Sequence, residues 1–255
     1  MKKLLLGVAG MVVAMGIAAP ASAADLGVPY TKAPVMTPAI YDWSGFYIGL
    51  NGGGGSSHNC WNINNDGITP LGPLAASVRE GCHDATGGLV GGQIGYRWQS
   101  AAWVFGFDAQ GDWASFKGSN TSAYPFPFGM TNESKVNALG LFTGQVGYAW
   151  NNVLWYVKGG AAVTSNQYNG NVTATTLRFD SVSEGRWGGA VGTGLEIGFA
   201  PNWSVGFEYD HIFLDDSTPT LTGGGGAFPL RVRSDVDLGT VRLNYRFGGP
   251  IVAKY

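Results

Sequence analysis

Leu89-Val90-Gly91-Gly92-Gln93-Ile94-Gly95-Tyr96-Arg97-Trp98 is the stretch on which the fold turns. Val90, Ile94, Tyr96 and Trp98 fall on one phase of a two-residue period, and Gln93, Gly95 and Arg97 on the other. Successive side chains of a strand point to opposite faces, so this is a strand with one greasy and one polar side. A few residues on, Trp103, Phe105, Phe107 and Ala109 alternate with Val104, Gly106, Asp108 and Gln110. Segments of about ten residues in this rhythm, separated by turns, are the mark of strands that face lipid outside and a polar lumen inside.

Working outward, the rhythm runs from Gly45 to Phe247 and predicts eight strands. The first covers 43–53, the second and third flank a tight link at 99–102, and the fourth covers 135–150. The fifth spans 153–165, the sixth 185–199, the seventh 203–214 and the eighth 234–247. Long connections are expected at 54–86, 117–133, 166–184 and 215–233, and tight ones at 99–102, 151–152 and 201–202. An even strand count with short links on one side and long ones on the other predicts an all-β, eight-stranded antiparallel transmembrane barrel. The short turns then face the periplasm and the four long loops the outside. Trp43, Phe46, Trp98, Trp103, Trp150 and Trp155 are among the aromatics expected in a periplasmic girdle. Trp113, Phe116, Trp187, Tyr209 and Phe213 are expected in a thinner outer one. A soluble barrel with an aromatic core would carry charge on its outer faces, and the aromatic phase here carries none.

Composition agrees. Charged residues make up 13% of the chain, about half the share in soluble domains. Glycine contributes 42 of 255 residues, which suits a narrow lumen. A glycine-rich disordered chain would not hold 13% aromatics on a period of two. The net charge is −2 with no basic run, so nucleic acid is not an expected partner. Lys2 and Lys3, the apolar stretch 4–19 and Pro20-Ala21-Ser22-Ala23 read as an export signal cleaved after Ala23. An uncleaved anchor helix is the alternative. The proline-broken segment 24–42 is expected to be an irregular periplasmic tail, and 43–255 the barrel.

Asp42-Trp43-Ser44-Gly45-Phe46-Tyr47-Ile48-Gly49 resembles the opening strand of the small outer-membrane immunogenic proteins of alphaproteobacteria. Gly92-Gln93-Ile94-Gly95-Tyr96, Trp155-Tyr156-Val157-Lys158-Gly159-Gly160-Ala161, Glu208-Tyr209 and Asn244-Tyr245-Arg246-Phe247 are similar too. The resemblance implies a barrel like the transmembrane domain of outer-membrane protein A, in the outer membrane of a Gram-negative bacterium. Members of that family are described as structural, porin-like, surface antigens or haem-binding. Outer-membrane lipid, lipopolysaccharide and the barrel-assembly machinery are the partners it implies. The last strand ends at Phe247, yet Gly248–Tyr255 follows, a departure from barrels that end on the aromatic read during assembly.

An eight-stranded barrel has an interior just wide enough for side chains to fill. By strand phase, Arg97, Asp108, Asp112, Lys158, Arg186, Glu196, Glu208, Asp210, Arg242 and Arg246 point inward. Counting from the periplasmic strand ends puts Asp108, Lys158, Glu196, Glu208 and Arg242 at one depth, with Gln93 and Gln145. Glu208–Arg242 and Lys158–Glu196 are the expected pairs, since an unpaired buried charge costs several kcal/mol. The expectation is a lumen plugged by an ionic network. A narrow water-lined pore is the alternative.

Cys60 and Cys82 are an even pair in an exported chain and are expected to form a disulfide. The bridge would close a loop of roughly twenty residues, stabilising it by about 3 kcal/mol. His58 and His83 beside them raise a metal site as the alternative, though the spacings fit structural zinc patterns poorly. Asp210-His211 with Asp215 and Asp216 is a candidate acid–base cluster, with a polar rim as the plainer reading. No enzyme activity and no cofactor are expected. The function expected is a structural or surface barrel; the alternatives are a small passive porin, or a receptor binding haem or a host component through its loops. Tyr124-Pro125-Phe126-Pro127-Phe128 and the cysteine loop are the candidate contacts.

Overall fold

The computed structural model describes residues 41–63, 78–123, 129–173, 178–223 and 226–248. The expected signal with its cleavage after Ala23, the bulk of the segment 24–42 and the Tyr124–Phe128 patch lie outside the described residues. The strands are β1 (Gly45–Ile63), β2 (Val78–Ser100), β3 (Trp103–Thr121), β4 (Met130–Trp150), β5 (Val153–Val172), β6 (Arg178–Ala200), β7 (Trp203–Leu214), β8 (Thr220–Gly223) and β9 (Gly226–Phe247). Neighbours from β1 to β7 pair antiparallel, β7 pairs with β9, and β9 returns to β1 from Phe46↔Phe247 to Ile63↔Leu230. β1–β7 and β9 therefore close an eight-stranded ring, and the four-residue β8 folds back on the start of β9. Below Gly188 the ring leaves no unpaired sheet edge, which is what lets strands cross lipid, while the outer part of β6, before Gly188, pairs with β5 alone. No described residue is helical.

The two-residue links lie where the sequence puts them: 101–102, 151–152 and 201–202. Ala101 and Asn151 adopt the left-handed conformation, with φ of 53° and 55°, that such tight hairpins require. The far ends differ from expectation. The described residues of the connections at 54–86, 117–133, 166–184 and 215–233 are largely strand, because β1 alone runs 19 residues and β2 and β6 run 23. The exposed apolar face stops where lipid stops, but the hydrogen-bonded ladder continues into water, with Trp61, Tyr168, Leu230 and Val232 buried on its inner face.

Alternation places most faces as read. Phe46, Ile48 and Leu50 are exposed outward while Tyr47 and Asn51 are buried inside. Three residues differ. Trp43 is buried, tucked beneath the strands instead of joining the girdle. Phe116 keeps the inward phase of Asp108 and Asp112 and is fully buried. Val136 has the same sequence parity as the outward Phe142 and Val146, yet it is buried because a bulge at Asn137 shifts the phase of β4 between Val136 and Ala138.

Candidate functional site in the lumen

All ten inward charges read from strand phase are buried in the barrel interior. Those at the middle of the barrel are organised around two tyrosines set against glycine. Tyr47 on β1 lies over Gly95 of β2, and Tyr156 on β5 lies over Gly194 of β6; a Cβ at Gly95 or Gly194 would come within 2.5 or 2.4 Å of those rings. The Arg97 guanidinium sits between them, 4.4 Å from the Tyr47 ring and 5.5 Å from that of Tyr156. It binds Glu196 at 2.9 Å. Glu196 also accepts from Asn244 at 3.0 Å and from Ser204. Asn244 in turn accepts from Gln93 at 2.7 Å.

A second cluster is centred on Arg242. Its Nη2 binds Asp108 at 2.8 Å and its Nη1 binds Glu208. Tyr47 donates to Asp108 and Tyr156 to Glu208, each at 2.5 Å. Lys158 holds Glu208 at 2.6 Å and Asp210 at 3.1 Å. The charged side-chain ends of Arg242, Lys158, Asp108, Glu208 and Asp210 are all essentially inaccessible to solvent. In so dry a setting each charge must be neutralised by a neighbour.

The structure thus brings Asp108, Lys158, Glu208 and Arg242 together, and the Glu208–Arg242 pair is present. The Lys158–Glu196 pair is not. Equal counting from strand ends ignores the stagger of β6, whose periplasmic end runs three residues past that of β5: Lys158 lies opposite Gly192, while Glu196 lies opposite Leu154. Gly192 and Gly194 leave an empty inward row on β6, so Lys158 and Tyr156 reach across it to β7. Glu196 goes to Arg97 instead.

Above the ionic layer lies an apolar one that phase counting did not anticipate. Leu89, Phe116, Leu139, Leu141, Ile212 and Leu238 are among its buried members, contributed by β2, β3, β4, β7 and β9. Phe116 fills the space opposite Gly55, where a Cβ would come within 2.8 Å of its ring. Beyond it a second buried cluster of Trp61, Tyr168, Leu230 and Val232 sits among polar groups. Trp61 donates to Ser134 at 3.1 Å and stacks edge-on against Tyr168 at 5.5 Å. Arg186 binds Tyr168 and Ser234 at 2.8 and 2.9 Å. Near the rim, buried Glu80 accepts from Asn132 at 2.9 Å and Ser122 at 3.3 Å. Burial pushes the Glu80 carboxyl up and the His83 ring down. The sequence reading missed Glu80 because it placed that residue in a loop.

The periplasmic end is closed by Trp43, whose backbone N–H donates to Gln99 at 2.9 Å, and by Tyr41, whose ring is 4.5 Å from that of Trp43. Arg246 donates to the carbonyls of Ser44 and Pro201, both at 3.0 Å.

Cys60 and Cys82 lie directly opposite each other on β1 and β2 and form a disulfide. His58 offers Nε2 at 3.5 Å from Cys60 Sγ and holds Asp84 through Nδ1 at 2.6 Å. His83 points to the other face, toward Asn120 at 2.7 Å. The two-Cys, two-His grouping is therefore not assembled. The acid–base candidates also separate. Asp210 is inside with Lys158, His211 turns outward to Asp237 at 2.7 Å, and Asp216 pairs with Arg231 and Arg233. Adjacent residues of a strand cannot serve one site on one face.

A family profile described as "Outer membrane protein beta-barrel domain" matches residues 9–247. Among solved structures, the chain is similar to the outer membrane protease OmpT of Escherichia coli, at 9% identity and TM-score 0.49 over 80% of this chain and 97% of that one. It is similar to the outer membrane protein OprG of Pseudomonas aeruginosa, at 12% identity and TM-score 0.48 over 83% and 100%. A third is Ail, the attachment invasion locus protein of Yersinia pestis, at 11% identity and TM-score 0.33 over 77% and 99%. No curated protein sequence matches the chain significantly.

Proposed function

The chain belongs to the outer membrane protein β-barrel domain family and resides in the outer membrane of a Gram-negative cell, and from that premise we propose that it is a closed barrel with a structural and surface role. The observation that carries the reading is the filling of the lumen: an ionic layer centred on Arg242 and an apolar layer around Phe116 and Leu139. Ions crossing such a path would have to displace dry ion pairs and then pass a tightly filled layer in which apolar side chains lie opposite buried Gln110, Asp112 and Thr164, each step costing several kcal/mol. No catalytic role is assigned to the protein. The separation of Asp210 from His211 across the wall supports that reading. The likeness to alphaproteobacterial immunogenic proteins extends the proposal to surface display by the outer strand ends. Lipid and lipopolysaccharide contact the outer wall, and the assembly machinery handles the closing strand β9.

Planar-bilayer recording of the purified protein tests this. The expected result is an absence of large, steady conductance at moderate voltage. A stable open level of porin size would replace the closed barrel with the passive-pore reading.

A further inference from the structure

On the outer wall at β9, the guanidinium groups of Arg231 and Arg233 are matched by Asp216. The β3–β4 flank is arranged differently. Lys117 and Lys135 are directly opposite each other across the two strands. Their neighbours Phe116 and Val136 are buried inside, so both lysines project outward. Like charges placed opposite on one sheet face destabilise the pair. Glu133 lies 3.1 Å from Lys135 and offsets one charge, while among the described residues Lys117 has no carboxylate partner. The flank therefore carries an uncompensated positive charge facing the membrane.

Height identifies what it faces. From Trp103 at the periplasmic turn to Trp113, β3 climbs roughly 25 Å at a strand tilt near 40°, the height of a barrel's apolar band. Trp113 is 76% exposed, the largest value among the big hydrophobic side chains, as befits an interfacial anchor. Lys117 is four residues further up, about 10 Å above the hydrocarbon edge, within reach of headgroup phosphates for a side chain that snorkels.

We propose that Lys117 and Lys135, seated above Trp113, bind a phosphate group on the lipid anchor of lipopolysaccharide in the outer leaflet. The proposal rests on the outer-membrane placement of the barrel and is independent of whether its lumen is closed. Phosphate between the two ammonium groups relieves their repulsion, the sugar backbone of the anchor lies against the polar bulge at Asn137, and its acyl chains run down the wall past Trp113.

The test titrates folded protein in detergent with bisphosphorylated lipid A, with its dephosphorylated counterpart, and with inorganic phosphate, reading occupancy by native mass spectrometry. Lys117→Gln/Lys135→Gln is expected to weaken binding of the phosphorylated lipid about thirtyfold, at roughly fivefold per surface lysine. Glu133→Gln, which removes the competing carboxylate, is expected to tighten it. Dephosphorylated lipid should bind wild type and double variant alike. Equal affinity of the two proteins for the phosphorylated lipid would overturn the proposal, as would equal binding of both lipids by the wild type. Inorganic phosphate binding as tightly as the lipid would also overturn it, since the site would then recognise a free anion. Retained heat-dependent gel mobility shows that each variant is folded. Conductance recorded on the same preparations separates a failure of this site from a failure of the closed-barrel reading.

Discussion

At Gly194 the lumen has no room for a methyl group. An added Cβ would lie 2.4 Å from the Tyr156 ring, and that ring cannot retreat because its hydroxyl is bound to Glu208. Gly194→Ala is expected to destabilise the barrel by about 1–3 kcal/mol in urea titrations of vesicle-embedded protein. Gly189→Ala, outward with nothing nearer than 4.0 Å, should be close to neutral, and equal effects would dismiss the notch as a source of constraint. Glu80 offers a different probe. Desolvation raises its pKa, against the pull of its hydrogen bonds from Asn132 and Ser122. A carboxyl whose folded-state pKa exceeds the unfolded value stabilises the fold at low pH, and that contribution is lost as pH rises through the folded value. Glu80→Gln should therefore raise thermal stability at about pH 8 and change it less at about pH 4. A gain confined to acid would reverse the sign and refute the cause. The ten inward charges were legible from strand phase alone. Glu80 was not, because its surroundings look like loop until the ladder is seen to continue past the lipid.

Elements set what residue counting could not. Depth counted from strand ends pairs Lys158 with Glu196; the stagger between β5 and β6 pairs each with another partner. Stagger is a property of barrel closure, fixed by strand number and tilt together, and no single segment carries it. The bulge at Asn137 is similarly local yet reverses the facing of Val136 and the residues beyond it. The disulfide also changes meaning at this scale. It was expected to close a loop, but it staples two strands already in register, with a separation of 22 residues. Cys60→Ser/Cys82→Ser should remove at most about 3 kcal/mol. Faster amide exchange should be confined to the hairpin end, at Asn59–Ile63 and Val78–Gly81. Loss of protection at Tyr47 or Tyr96 would mean that the bridge supports the whole wall.

Across the whole molecule the interior is filled by two layers, one of ion pairs and one rich in apolar side chains, and on the proposed closed-barrel reading each is a barrier. The two barriers act in series, so removing one should not open the barrel. Glu208→Ala/Arg242→Ala is expected to lower stability by about 3–5 kcal/mol while conductance stays near the wild-type level. Adding Leu139→Ser and Leu238→Ser to that background should bring the first measurable current. A channel opened by the charge variant alone would show that the apolar layer seals nothing. The long strands carry a separate consequence. β1 at 19 residues rises roughly 48 Å, about 20 Å more than the bilayer needs, so a β-wall stands above the membrane. An antibody binding that wall would grip rungs such as Lys117 with Lys135, composed from separate strands, and short peptides of the same sequence would not compete for it. Its epitope would vanish on boiling and return only with the folded barrel.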